Sequence, residues 1–196
     1  MTRIKLADPD DAELAAIMAN GVARYGRPLN AWLAIGHRPS VLERYFSFLF
    51  STFEPGPLVQ DLKLLAALRS VVVTGCHYTA SHRWTAAMAA DIDTDRATAV
   101  AISDLASCAP IDRLVTDLVN AELANDDGRT NECISGAKAE LGDAATSELI
   151  FTIGLWSGLA RANRALDLAL DMKPAPQIVH DAVNACRAGA SQPGAN

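Results

Sequence analysis

The chain has 196 residues, half of them apolar, with 17 lysines and arginines against 23 aspartates and glutamates and a net charge of −6. Such a composition can bury a sizeable core in one domain or two small halves, while the acidic balance excludes a general nucleic-acid binder, which must neutralise phosphates. No apolar run reaches the roughly 18 residues of a membrane span, and the opening MTRIKLADPDDAEL turns acidic at once without the apolar stretch of a signal peptide, so a cytoplasmic protein with no membrane partner is expected.

Taken in chain order, the periodicity predicts helices almost throughout. Asp8-Pro9 is a cap and first-turn signal for a helix carrying Leu14, Ile17, Met18 and Val22 on one stripe and ending near Gly26. Residues 29–36 (LNAWLAIG) form a short helix closed by Gly36. Pro39 opens the next, with Val41, Leu42, Tyr45, Phe46, Leu49 and Phe50 facing inward. After a turn at 54–57 (EPGP), Leu58 to Val73 is strongly apolar. Its Val71-Val72-Val73 run has strand propensity, but the preceding DLKLLAALRS favours helix. Gly75 breaks that helix, and a new one runs from about Cys76 to Ala90. Short helices follow at 95–106 and from Pro110 to Asn125, then a loop at 125–131 (NDDGRTN), a helix at 131–142 and a long segment at 143–172 ended by Lys173-Pro174. The prediction is an all-α fold in one domain over residues 1–188, with a flexible tail at 189–196 whose composition is that of a disordered segment.

The stretch TGCHYTASHRW, residues 74–84, concentrates chemistry in an otherwise plain, alanine-rich chain. A cysteine after a glycine at the start of a helix faces unpaired backbone N–H groups and the positive end of the helix dipole, which activates its sulfur. His77 and His82 stand near it as a base or added positive charge. The alternative is a free cysteine buried as a small apolar residue. At about 100° per residue, Tyr78 and His82 share one face, and Cys76 shares another with Thr79, Ala80 and Arg83. A Cys76–His82 pair is allowed by this spacing without being required. The other cysteines, Cys108, Cys133 and Cys186, make no CxxC pair and read as structural free thiols, with no zinc site.

Residues 62–93 (LKLLAALRSVVVTGCHYTASHRWTAAMAADID) resemble the core of the carboxymuconolactone decarboxylase family, which includes the alkylhydroperoxidase-D-like proteins: an apolar helix, a small-residue turn, a Cys-x-Tyr start to the next helix, then a histidine. LNAWLAIGHRPSVLERYFSFLF (29–50) is similar to the family's leading segment and TSELIFTIGLWSGLARANRALDLAL (146–170) to its closing helix. The resemblance implies an alkylhydroperoxidase-D-like fold with a helical hairpin core, a homo-oligomer (trimer or hexamer), and a pocket beside the Cys-to-His helix that needs neither metal nor organic cofactor. Cys76 and Tyr78 match the Cys-x-Tyr start. The family's second cysteine falls on Thr79, its histidine on Arg83 and its glutamate on Leu64, while His82 sits one residue short of the histidine position.

The expected function is a cofactor-independent lyase or isomerase acting by proton transfer on a small organic acid, lactone or polyketide-like substrate. Cys76 and His82 would be catalytic, with Tyr78, Arg83, His37 and Trp84 around the substrate. The alternatives are a thiol peroxidase using Cys76 with an outside thiol, and a non-catalytic helical binding or scaffold protein. His180 is expected to be exposed, and the face bearing Arg161, Asn163 and Arg164 to be solvated or at an interface.

Overall fold

The computed structural model describes residues 2–189. Within them the chain is all-α: α1 (Ala12–Tyr25), α2 (Asn30–Ile35), α3 (Pro39–Ser51), α4 (Gln60–Val73), α5 (His77–Ala89), α6 (Thr94–Ile102), α7 (Pro110–Leu123), α8 (Asp127–Ala165) and α9 (Gln177–Gly189). None is long and apolar enough to cross a membrane. Apart from Gly189, which ends α9, the expected tail lies outside the described residues.

Local capping chemistry sets most boundaries. The cap of α1 is Asp11, whose carboxylate accepts the Leu14 N–H, and not the expected Asp8, whose carboxylate is taken by the Asp10 N–H. Gly26 ends α1 at φ 76°, and Pro39 opens α3. Along α3, Leu42, Phe46 and Leu49 are buried, whereas Val41, expected to face inward, is exposed. The valine run closes α4 as helix. Two boundaries differ from expectation. α8 begins inside the supposed loop because Asp126 caps it through the Arg129 N–H. Gly142, at φ 79° and ψ 168°, interrupts α8 at the expected break. The helix then stops at Ala165, well before Met172, because Leu166 caps it and Asp167 turns left-handed at φ 51°. The chain beyond runs without helix to Pro176 and lies against α2 and α5, where Asn30 Nδ2 donates to Ala169 O at 2.9 Å and the Ala175 N–H to Ser81 Oγ at 3.1 Å.

Helix α4 is buried on every side, as a helix apolar all round must be. It packs against α5, α6, α7, α8 and α9. One face (Leu64, Leu65, Leu68, Val71, Val72) joins a core shared with α1–α3, α5, α6 and α9; the other (Leu62, Ala66) joins a second cluster with α7 and α8. Its polar residues are paired. Lys63 meets Glu148 and donates to Glu54 O at 2.9 Å; Arg69 donates to Asn120 Oδ1 at 2.8 Å and Ala101 O at 2.7 Å. Arg96 on α6 forks onto Asp112 of α7 at 2.8 and 2.9 Å and reaches Asp61 of α4 at 2.7 Å.

The turn that joins α4 to α5 places the chemistry-bearing stretch at the centre of this packing. Gly75 adopts φ +75°, and a Cβ there would sit 3.2 Å from Cβ of Arg187 on α9. The left-handed turn and the close approach of α9 both need a glycine. Arg164 Nη1 donates to Thr74 O at 2.7 Å, placing a cation at the C-terminus of α4.

Candidate functional site

Helix α2 has no side-chain cap of its own, since Leu29 precedes it. Its orphan N–H groups must find partners elsewhere, and they find them in the candidate site. The Asn30 N–H donates to Asp171 Oδ2 at 2.6 Å and the Ala31 N–H to Tyr78 Oη at 3.1 Å. Tyr78 Oη in turn donates to Asp171 Oδ2 at 2.8 Å, and His82 Nε2 lies 2.8 Å from Asp171 Oδ1. Tyr78 and His82, one turn apart on α5, pack ring against ring with centroids 4.6 Å apart.

Asp171 thus gathers a helix terminus, a phenol and an imidazole around one carboxylate whose side chain is only 7% exposed. Burial pushes its carboxyl upward, but the hydrogen bonds from His82, from the Asn30 N–H and from Tyr78 outweigh that and hold it below the ordinary aspartate value. An ionised Asp171 accepts from His82 Nε2–H, which fixes the tautomer and leaves Nδ1 with the free lone pair. The phenol of Tyr78, buried and beside Asp171, is pushed well above its usual range and stays protonated.

Next to His82, Arg83 is 4% exposed and has no carboxylate partner. Its Nε and Nη1 make no hydrogen bond, and the Tyr25 side chain is its hydrogen-bonding neighbour. The guanidinium lies over the Trp156 ring, 3.9 Å from its centroid, with Phe53 at 5.6 Å, so cation–π contacts offset part of its desolvation. Burial lowers its affinity for its proton from the ordinary arginine value. His82 and Arg83 both line a narrow inner chamber of about 40 Å³, together with Tyr78, Thr79, Tyr45 and Trp32. The same two residues, with Tyr25 and Phe53, also line an outer cleft of about 520 Å³ that continues past Arg24 and Met172.

Cys76 is placed differently. It is the residue before α5, but its side chain makes no cap; Sγ lies 3.2 Å from Thr79 Oγ1, which accepts from Asn163 Nδ2 at 3.1 Å. The thiol is 2% exposed and lines neither chamber. The structure therefore brings Tyr78, His82 and Arg83 together and gives Cys76 and His82 separate partners. Trp84 borders a groove with Pro174 and Pro176 instead of the chamber. His37 is on the surface, with Nε2 2.7 Å from Lys5 O, in a groove formed with the N-terminal segment. His180 is half-buried where exposure was expected. It stacks on His77 with Nδ1 atoms 2.7 Å apart, while His77 Nε2 lies 2.8 Å from Asn184 Oδ1. Asn163, expected on a solvated face, is buried.

Asp171 is the site residue that sequence reasoning does not find, because the expected closing helix at 143–172 includes it. The available signal was the run Asp167 to Pro174, with two aspartates and a proline after the last arginine of α8. All four cysteines are free thiols, and among the described residues no three His, Cys, Asp or Glu side chains stand close enough to hold a metal ion. No family model matches the chain, and no curated protein matches it either.

Proposed function

We propose that the chain is a cofactor-independent lyase or isomerase of the carboxymuconolactone decarboxylase type, on an alkylhydroperoxidase-D-like helical fold, acting by proton transfer on a small organic acid, lactone or polyketide-like molecule. The observation that carries this reading is the buried Asp171–His82 pair beside an Arg83 guanidinium with two vacant nitrogens on one chamber wall. His82 Nδ1 takes a proton from a carbon next to a carbonyl, and Asp171 stabilises the imidazolium through Nε2–H. In an isomerisation the proton returns to a different carbon of the same molecule. In a decarboxylation no carbon proton is removed first: His82 takes a proton from solvent, the C–C bond to the departing carboxylate breaks, carbon dioxide leaves, and the electron pair left behind takes up that proton from the imidazolium. Tyr78 holds Asp171 and the terminus of α2 in register, and Thr79 joins Cys76 to the chamber wall.

A thiol peroxidase is less well supported, because Cys76 is buried behind Thr79 and Thr79 stands where a resolving cysteine would be. An inert scaffold gains nothing from a buried guanidinium with two unpaired nitrogens. The test needs no prior substrate. The protein is incubated in deuterium oxide with a panel of enol-lactones, β-keto acids and unsaturated carboxylates, and exchange or turnover is followed by proton NMR. Exchange or turnover is expected with part of the panel, and His82→Gln should slow it by about 10²–10⁴-fold. Activity equal in the wild type and in His82→Gln, or none on any compound, rejects the reading.

The same proposal includes a homo-oligomer, a trimer or hexamer. Phe151 at 66% and Val59 at 60% exposure leave large apolar side chains in solvent on a single chain. Light scattering at micromolar concentration should return a multiple of the 20.8 kDa chain mass; the single-chain mass would remove this part.

A further inference from the structure

We infer that Arg83 is the receptor for a carboxylate that the ligand retains throughout, and that the two chambers together select a small carboxylate with a flat apolar body. This deepens the reading above by naming the ligand class of the same site, and it rests on that reading only for what happens to the ligand afterwards.

Arg83 carries a desolvation that its neighbours compensate only in part. A buried guanidinium normally has a carboxylate or several carbonyl oxygens around it, because an unpaired buried charge is costly. Arg69 obeys that rule, with Asn120 and Ala101 accepting its N–H groups. Arg83 does not: Nε and Nη1 are buried and make no hydrogen bond. Nε–H and the outer N–H of Nη1 leave the guanidinium plane by different edges, so Arg83 offers two separate vacant donors, and an anionic oxygen on either one gains a charge-assisted hydrogen bond.

The surroundings favour an anion from every side. The chain carries 23 acidic residues, yet no aspartate or glutamate lines the inner chamber or the outer cleft. The nearest acid is Asp171, and its oxygens are engaged by Asn30, Tyr78 and His82. The Tyr45 phenol, which shares the chamber, is pushed upward by burial and so remains an O–H donor. Arg24 stands at the rim of the outer cleft, 5.4 Å from the Phe53 ring, where it can draw an anion inward.

Size and wall chemistry set the rest of the ligand. The inner chamber, about 40 Å³, holds roughly three waters, which is the size of a carboxylate head and too little for a whole substrate. The outer cleft, about 520 Å³ and walled by Phe53, Leu64 and a series of alanines, accepts an apolar body. Phe53 and Tyr25 border both spaces, so a flat body passing between them lies against aromatic rings.

The experiment is a binding titration that needs no turnover. Benzoate is added to the full chain and followed by calorimetry and by tryptophan fluorescence, since Trp156 lies directly under the Arg83 guanidinium. Benzamide, equal in shape but neutral, is the control. Saturable benzoate binding is expected, with benzamide weaker by at least about tenfold. Arg83→Met should lose benzoate by a similar factor while melting at a temperature equal to or above that of the wild type, because a buried charge without a carboxylate partner is gone. Arg83→Lys, a point charge without the guanidinium plane, should bind with intermediate strength and keeps the test open if Arg83→Met fails to fold. Equal affinity for benzoate and benzamide, no saturable benzoate binding, or undiminished benzoate binding in Arg83→Met overturns the inference. Benzoate binding that persists when the proton-exchange screen is blank upholds the receptor and sinks the lyase reading alone.

Discussion

Asp171→Ala is expected to destabilise the protein by about 3–5 kcal/mol and to slow the proposed proton transfer by at least about 10²-fold. The carboxylate is the acceptor for three donors drawn from distant parts of the chain: the Asn30 N–H, the Tyr78 hydroxyl and His82 Nε2. Removing it leaves buried donors without partners, and the cost of an orphaned buried donor exceeds the net worth of the bond it made. Asp171→Asn should retain more stability, since its amide oxygen still accepts, but it no longer stabilises an imidazolium. The pH dependence follows from depressed groups in two ranges, His180 above and Asp171, with Glu148 and Asp104, below. Asp171 titrates below its ordinary value in the folded protein, so its stabilisation is complete above about 3.9 and is lost as pH falls through the lowered folded value. His180 is lowered by burial and by neighbouring His77, so its contribution is complete above about 6.5 and disappears as pH falls through its own lowered value. Urea midpoints measured from pH 8 to pH 3 should therefore decline in two steps, and Asp171→Ala should keep the first and show a smaller second, to which Glu148 still contributes. A variant within about 1 kcal/mol of the wild type would show that the Asp171 cluster is not a unit.

How much of this could be read from residue order depends on how far apart the partners are. The helix pair around Gly75 was legible because its signals are local: an apolar run, a glycine that can turn left-handed, then a helix start. Gly26, Pro39 and Gly142 mark their boundaries for the same reason. Tyr78 and His82 were placed on one face by helix geometry alone, and they do pack together. Their common partner was not legible. Asp171 is 89 residues from His82 and 141 from Asn30, and the run Asp167 to Pro174 signals at most a helix end, not which partners its aspartates meet. The link from Thr79 to Asn163 spans 84 positions and was hidden in the same way. The Cys76–His82 spacing left a pairing open, and the tertiary structure used each residue for something else. Arg83 is the middle case: the helix face put it beside the substrate, but only packing against Trp156 and Phe53 reveals that the guanidinium is buried with two vacant nitrogens.

Arg83, with two vacant nitrogens and no carboxylate, and the carboxylate-paired Arg96 make opposite predictions for the same type of change, and this contrast separates function from architecture. Replacing Arg83 removes a charge compensated only in part, whereas replacing Arg96 creates an uncompensated one. Asp112 is 1% exposed and receives both Nε and Nη2 of Arg96, with Nη1 extending to Asp61 on α4. The cluster ties α6, α7 and α4 together, and hydrogen bonding to Asp112 raises the Arg96 guanidinium above its already high ordinary value. Arg96→Ala is expected to cost about 3–5 kcal/mol, because it strands a carboxylate that water cannot reach. For a domain of this size that corresponds to a melting point lower by roughly 6–20 °C. The double change Arg96→Ala with Asp112→Ala should cost clearly less than the two single changes added, with a coupling of about 1–3 kcal/mol between them. The weaker Asp61 contact is half in solvent, so Asp61→Ala alone should stay within about 1 kcal/mol. Thermal and urea unfolding of the four variants provides every term. Additive single changes, or an Arg96→Ala protein as stable as the wild type, would mean that Asp112 is hydrated in solution and that the three helices are held by apolar packing alone.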